Sequence, residues 1–206
     1  MALLDLTFKF YTDAGLTILA GPIKQLTHST DLSDNPQDFV LYFGSNATAT
    51  KLEAVSNPGV DPITFTPTDT LPNWAVATVY ALGTTREPST PNGFVYEVTT
   101  AGTSHATTEP TWPTTGIGST VNDGTVTWTF RGPRHEPDEL TLALSEGDLA
   151  TNTPGAALDI GPTVLSGVAE AVPVWFRIEN AVTTPRNTAG RAEYGIAINE
   201  VIETEV

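Results

Sequence analysis

The stretch Asn122-Asp123-Gly124-Thr125-Val126-Thr127-Trp128-Thr129-Phe130-Arg131-Gly132-Pro133 decides the fold class. Val126, Trp128 and Phe130 alternate with Thr125, Thr127 and Thr129, the period of two that puts apolar side chains on one face of a strand and polar ones on the other. A helix would scatter the same residues around its circumference. Asn122-Asp123-Gly124 ahead of the run has the composition of a turn needing positive φ, so the segment reads as a strand introduced by a turn.

Working outward, Phe94, Tyr96 and Val98 form a second alternating run, introduced by Asn92-Gly93. Trp74, Val76, Thr78 and Tyr80 form a third. Three strands stacking aromatics on one side bury about 150–250 Å² per ring, worth several kcal/mol each before entropy is charged. The opposite, Thr-rich face is expected to meet water. Residues 71–133 carry sixteen Thr, no Lys and a net charge of only −2, with Arg86 and Arg131 against Glu87, Glu97, Glu109 and Asp123. The whole chain carries −15, so the acid lies in the flanks. Pro67 and Pro72 mark one junction of this stretch and Pro133 and Pro137 the other, where proline stiffens a connection and stops strand pairing. Residues 71–133 are therefore expected to be a small inserted β module that projects from a discontinuous host, 1–70 with 134–206.

The host reads as strands too. Leu4, Leu6, Phe8 and Phe10 alternate with Asp5, Thr7 and Lys9. Phe39-Leu41-Phe43, Leu52-Ala54 and Ile63-Phe65 follow, then Leu140-Leu142-Leu144, Val174-Phe176-Ile178 and Tyr194-Ile196-Ile198. Gly161, Pro162 and Gly167 interrupt the best helical candidate, residues 155–171, leaving room for one short helical turn. The expected fold is all-β: an Ig-like or jelly-roll-type two-sheet sandwich with a small inserted module. The long alternating segment Leu3 to Tyr11 is a candidate assembly edge through Leu4, Leu6, Phe8 and Phe10.

With a pI near 4.3, the chain lacks the Lys/Arg surplus that neutralises phosphate, which argues against nucleic-acid binding. The 206 residues contain no Cys, so neither disulfides nor thiolate metal sites hold the fold. No secretory leader and no apolar run of membrane-spanning length is legible, and no membrane contact is expected. Without a secretion signal, the sequon Asn46-Ala47-Thr48 reads as chance.

Catalytic and metal chemistry finds little to use. His28, His105 and His135 lie in separate polar segments, and His28-Ser29-Thr30-Asp31 cannot be a triad, because a triad assembles from separate segments. Gly116-Ile117-Gly118 lacks the third glycine and the strand-to-helix unit of a dinucleotide loop. Asp31-Leu32-Ser33-Asp34-Asn35 and Asn122-Asp123-Gly124 lack the spacing of a calcium loop. No catalytic residue, metal ligand or cofactor is expected. Trp112, between Pro110-Thr111 and Pro113, cannot lie in a central strand. It either plugs the open side of the small sheet or, with Tyr80 and Tyr96, offers a flat platform to a glycan. Glu200, Glu203 and Glu205 are candidates for charge matching to a basic partner.

The run Trp74, Tyr80, Gly83, Gly93, Tyr96, Thr100, Gly102, Pro110, Trp112, Pro113, Gly116, Asp123, Gly124 and Trp128 resembles a β module inserted into structural proteins of tailed-bacteriophage virions. The flanking DLTFKFYTDAGL, KLEAVSNPGVDPITF and PGAALDIGPTVLSGVAEAVPVWFRIEN are similar to small β-sandwich virion proteins, some of which join DPITF directly to a strand like ELTLAL. The resemblance implies a non-enzymatic component made in the host cytoplasm and carried on the particle exterior, as head decoration. Its partners would be capsid or neck and tail proteins, bound as a homo-oligomer or on a lattice. The alternative it implies is a tail or neck adhesion component whose insert binds glycans.

Overall fold

The computed structural model describes residues 6–22, 24, 26–29, 31–182 and 194–206. The protein is an all-β, sandwich-like fold of antiparallel sheets. Among the described residues, helix is confined to the short 3-10 segments Pro137–Glu139, Gly147–Ala150 and Val168–Glu170. The strands are β1 (Lys9–Tyr11), β2 (Gln37–Gly44), β3 (Thr50–Ala54), β4 (Thr64–Asp69), β5 (Val79–Tyr80), β6 (Thr85–Arg86), β7 (Phe94–Thr100) and β8 (Gly102–Thr103). They continue as β9 (Thr120–Asp123), β10 (Val126–Pro133), β11 (Leu140–Ala143), β12 (Leu158–Asp159), β13 (Thr163–Leu165), β14 (Val172–Ile178), β15 (Tyr194–Ile198) and β16 (Val201–Glu205). The chain divides into two compact units. One comprises Asp69–Glu136 and Ala181–Tyr194, the latter largely outside the described residues; the other comprises Met1–Thr68, Pro137–Asn180 and Gly195–Val206.

The flanking unit contains a four-stranded sheet, β1-β2-β14-β11, and two three-stranded sheets, β12-β4-β15 and β13-β3-β16. Phe8, Phe10, Phe39, Phe43, Phe65 and Phe176 touch ring to ring in one continuous chain. Its closest members are Phe39 and Phe176, stacked at 4.8 Å, and Phe65 of β4 meets Phe10 and Phe43 of the four-stranded sheet at 5.0 Å each. The alternation of the opening segment thus delivers its rings to the core. Leu6 and Phe8 are buried, and Leu4 lies outside the described residues. Of the candidate assembly edge, Leu6, Phe8 and Phe10 pack within the chain. The outer side of β1 is also occupied, by a return of the chain in which Ala20 N–H donates to the Phe10 carbonyl and Thr12 N–H to that of Ile18, both at 2.9 Å. The Asp13 carboxylate closes this hairpin by accepting from Ile18 N–H at 2.7 Å and Thr17 N–H at 3.1 Å.

Two further expectations change. Leu144 does not continue the alternation of Leu140 and Leu142. β11 ends at Ala143, all four of its residues are buried, and Leu144 is exposed where the chain turns into Gly147–Ala150. The Glu203 carboxylate accepts from Thr7 N–H at 2.7 Å and from the Thr7 hydroxyl, tying β16 to the opening segment. Residues 155–171, read as at most one helical turn, hold the 3-10 segment at Val168–Glu170 but also β12 and β13. Glycine at positive φ, as at Gly161 and Gly167, turns the chain around those strands.

The Trp-rich unit contains a four-stranded sheet, β6-β7-β10-β9, and the short pair β5-β8. β7 and β10 occupy the expected segments, Phe94–Thr100 and Val126–Pro133. Trp74 to Thr78 do not: Ala77 has φ +49°, Val76 is exposed, and only Val79–Tyr80 pair as strand. Trp74 and Tyr80 still reach the core, where they join Tyr96, Val98, Val126, Trp128 and Phe130. The Thr face is not uniformly wet either. Thr125 is exposed, but Thr129 is buried with its hydroxyl 2.8 Å from that of Thr99. The β9–β10 hairpin turns at Gly124, whose φ of +59° suits glycine and at which a Cβ would overlap the Thr103 carbonyl.

Candidate functional site

The Trp-rich unit is organised around one buried carboxylate. The β9–β10 turn leaves Asp123 2% exposed, and its Oδ2 accepts from Trp74 Nε1 at 2.8 Å and Trp128 Nε1 at 3.1 Å. Its Oδ1 accepts from the His105 N–H at 2.7 Å. Burying a carboxylate is costly unless donors replace its water, and three do so here. Two indoles that share an acceptor are fixed in orientation as well as in depth. Asp123 therefore belongs to the core, whereas in the sequence it is legible only as part of the Asn122-Asp123-Gly124 turn.

A second polar cluster lies where the chain enters and leaves the unit. Arg134, 5% exposed, meets Asp69 at 2.7 Å, Glu136 at 3.0 Å and the buried Glu87 through Nη1. Burial pushes the Glu87 carboxyl above the usual carboxylate range, against the pull of Arg134. Burial also opposes the Arg134 charge, and hydrogen bonds to Asp69 and Glu87 outweigh it, so the guanidinium stays charged. In the flanking unit the shifts run the other way. Hydrogen bonds from Arg177 hold Asp38 low, the Ile18 N–H does so for Asp13, and the Ser29 hydroxyl for Asp34.

These signs predict opposite responses to acid. A depressed carboxylate contributes stability above its unfolded value, about 4, and loses it as pH falls through the lower folded value; a raised one gains on the same change. Between pH 6 and pH 3 the flanking unit is expected to melt progressively lower while the Glu87 contribution to the Trp-rich unit grows. Near-ultraviolet dichroism, dominated by Trp74, Trp112 and Trp128, should thus lose its thermal transition later than far-ultraviolet dichroism does. Coincident shifts of both signals would refute the assignment.

Trp112 sits on the open side of the small sheet. Its ring packs on Tyr96 at 4.4 Å and edge-on to Trp128 at 5.5 Å, and the residue remains partly exposed. Its Nε1 donates to Glu109 Oε1 at 2.8 Å, and the same carboxylate accepts from Ser89 N–H at 2.8 Å and from the Ser89 hydroxyl. The other two platform candidates are corrected. Tyr96 is fully buried, its hydroxyl donating to the Pro113 carbonyl at 3.0 Å and accepting from Asn92 Nδ2 at 3.0 Å. Tyr80 is 2% exposed and accepts from the Ala75 N–H at 2.8 Å. Both rings are core, and what remains beside Trp112 is a shallow groove of 360 Å³ between the 88–92 and 109–112 segments. Ser89 and Glu109 carry no motif in the sequence, and Asn92 is legible there only as part of the Asn92-Gly93 turn.

The other candidates fold into local turns. His105 Nδ1 accepts from Thr108 N–H at 3.1 Å, His28 lies 3.9 Å from Asp34, and Asp34 accepts from Ser29 N–H at 2.9 Å. At Gly116-Ile117-Gly118 the Ser119 N–H donates to the Gly116 carbonyl at 2.8 Å, closing a turn. Among the described residues, no group of three or more His, Asp or Glu side chains could hold a metal ion. No protein-family model, curated protein or solved structure matches the chain.

Proposed function

We propose that the protein is a non-enzymatic structural component on the exterior of a tailed-bacteriophage particle, a head decoration that docks through its flanking unit and displays the Trp-rich unit. The observation that carries the reading is the segment Asp69–Glu136, which makes up most of the second compact unit and whose entry and exit are tied by the 2.7 Å Asp69–Arg134 ion pair. Ends so close allow a module to be set into a loop between two strands of a host with little disturbance to either. The polar groups of that unit hold its own aromatics in place, as a display domain requires. The module resemblance over residues 74–133 points to the same kind of particle.

Docking of this kind draws its strength from many copies on a repeating lattice. Purified protein is expected to bind particles lacking it to saturation, and mass spectrometry is expected to find it in mature virions. Absence from virions together with failure to bind stripped particles would overturn the proposal.

A further inference from the structure

We propose that the groove beside Trp112 binds one or two rings of a neutral saccharide. It is bordered by Ser89, Thr90 and Asn92 on one segment and by Glu109, Pro110 and Trp112 on the other, and its 360 Å³ is near the low end of the ~300–1,000 Å³ typical of ligand sites. The inference stands on this groove alone and goes beyond the virion reading.

Three features define the ligand. The indole is held before anything binds, by Tyr96 and Trp128 against its ring and by Glu109 on its Nε1, so presenting it costs little side-chain entropy. Its electron-rich face attracts the positive edge of C–H groups, which a pyranose supplies as a flat apolar side. Polar groups flank that surface in both hydrogen-bonding senses. A carboxylate has about four acceptor sites, and Glu109 fills three with Ser89 N–H, Ser89 Oγ and Trp112 Nε1, leaving one for a ligand hydroxyl. The Ser89 hydroxyl, donating to Glu109, keeps its lone pairs for a hydroxyl donor, and the exposed Thr90 hydroxyl can give or accept.

Charge narrows the class further. The Glu109 carboxylate repels an anionic sugar, and the three donors already on it weaken its hold on a cation. A ligand with an apolar face, a rim of hydroxyls and no net charge fits best.

The test uses the full chain on an array of neutral hexose and N-acetylhexosamine oligomers, followed by titration of the best binder against the Trp112 indole N–H resonance. Choline serves as the cationic control. Binding in the micromolar to millimolar range is expected, with a shift of the Trp112 resonance and at least a tenfold loss in Trp112→Ala. Because Trp112 also packs on the core, Thr90→Arg is the second variant: it fills the groove from an exposed loop, and it too should lose at least tenfold with its near-ultraviolet dichroism unchanged. Silence toward every neutral glycan at millimolar concentration, undiminished binding by Thr90→Arg, or an indole shift with choline but not with sugars would each overturn the proposal.

Discussion

Asp123→Ala is expected to unfold the Trp-rich unit while the flanking unit stays folded. Removing the carboxylate strands Trp74 Nε1, Trp128 Nε1 and the His105 N–H, all of which donate to it. Each unsatisfied buried donor costs about 1–3 kcal/mol, and a small domain has about 5–15 kcal/mol in all, so the three together consume most of the stability. Trp74, Trp112 and Trp128 make urea-induced fluorescence changes report chiefly on this unit. The variant should show water-exposed tryptophan emission with little or no denaturant, and its far-ultraviolet dichroism should retain the strand signal of the flanks. Asp123→Asn should fall between, since its amide oxygen accepts but its NH₂ faces another donor. A midpoint displaced by less than the equivalent of about 1 kcal/mol in Asp123→Ala would show that water can replace the carboxylate.

Arg134→Ala should be the next most damaging change, and more damaging than Glu87→Gln. Glu87 is 1% exposed, and its ion-pair partner is Arg134. Truncating the arginine leaves a buried charge, for which losses of about 3–5 kcal/mol are usual. Glu87→Gln removes the costly charge but leaves an acceptor, while Asp69 and Glu136 continue to balance Arg134. Its expected cost is about 1 kcal/mol. Replacing both residues by apolar ones, Arg134→Met with Glu87→Leu, should recover most of the loss. Urea midpoints of the four proteins measure this directly, and equal losses in the two single variants would mean that desolvation of Glu87 does not dominate.

The same residues mark how far a reading of the chain reaches. Alternation placed β7, β10 and β14, and Asn92-Gly93 and Asp123-Gly124 placed turns whose glycines adopt positive φ. It failed at Trp74 to Thr78, where alternation is present but a turn at Ala77 replaces the strand, and at Leu144, where β11 stops short. Of the glycan platform, Trp112 borders the groove, whereas Tyr80 and Tyr96 lie in the core.

Local chemistry accounts for that division. Whether a segment is able to form a strand depends on residues two positions apart, and whether a turn closes depends on one glycine's backbone freedom, so both are legible in the local sequence, while pairing decides whether the strand forms. The all-β class, the apolar faces of β7, β10 and β14 and the turns at Gly93 and Gly124 are of this kind. Which polar groups are buried depends on what meets them from far along the chain. Asp123 accepts from Trp74 49 positions away, Arg134 pairs with Glu87 47 positions away, and Glu109 joins Ser89 20 positions away. A carboxylate looks the same in sequence whether water or three N–H groups surround it. Only the tertiary structure decided that Asp123 anchors a core, that Glu87 is held by an arginine, and that Glu109 holds Trp112 at the edge of a groove.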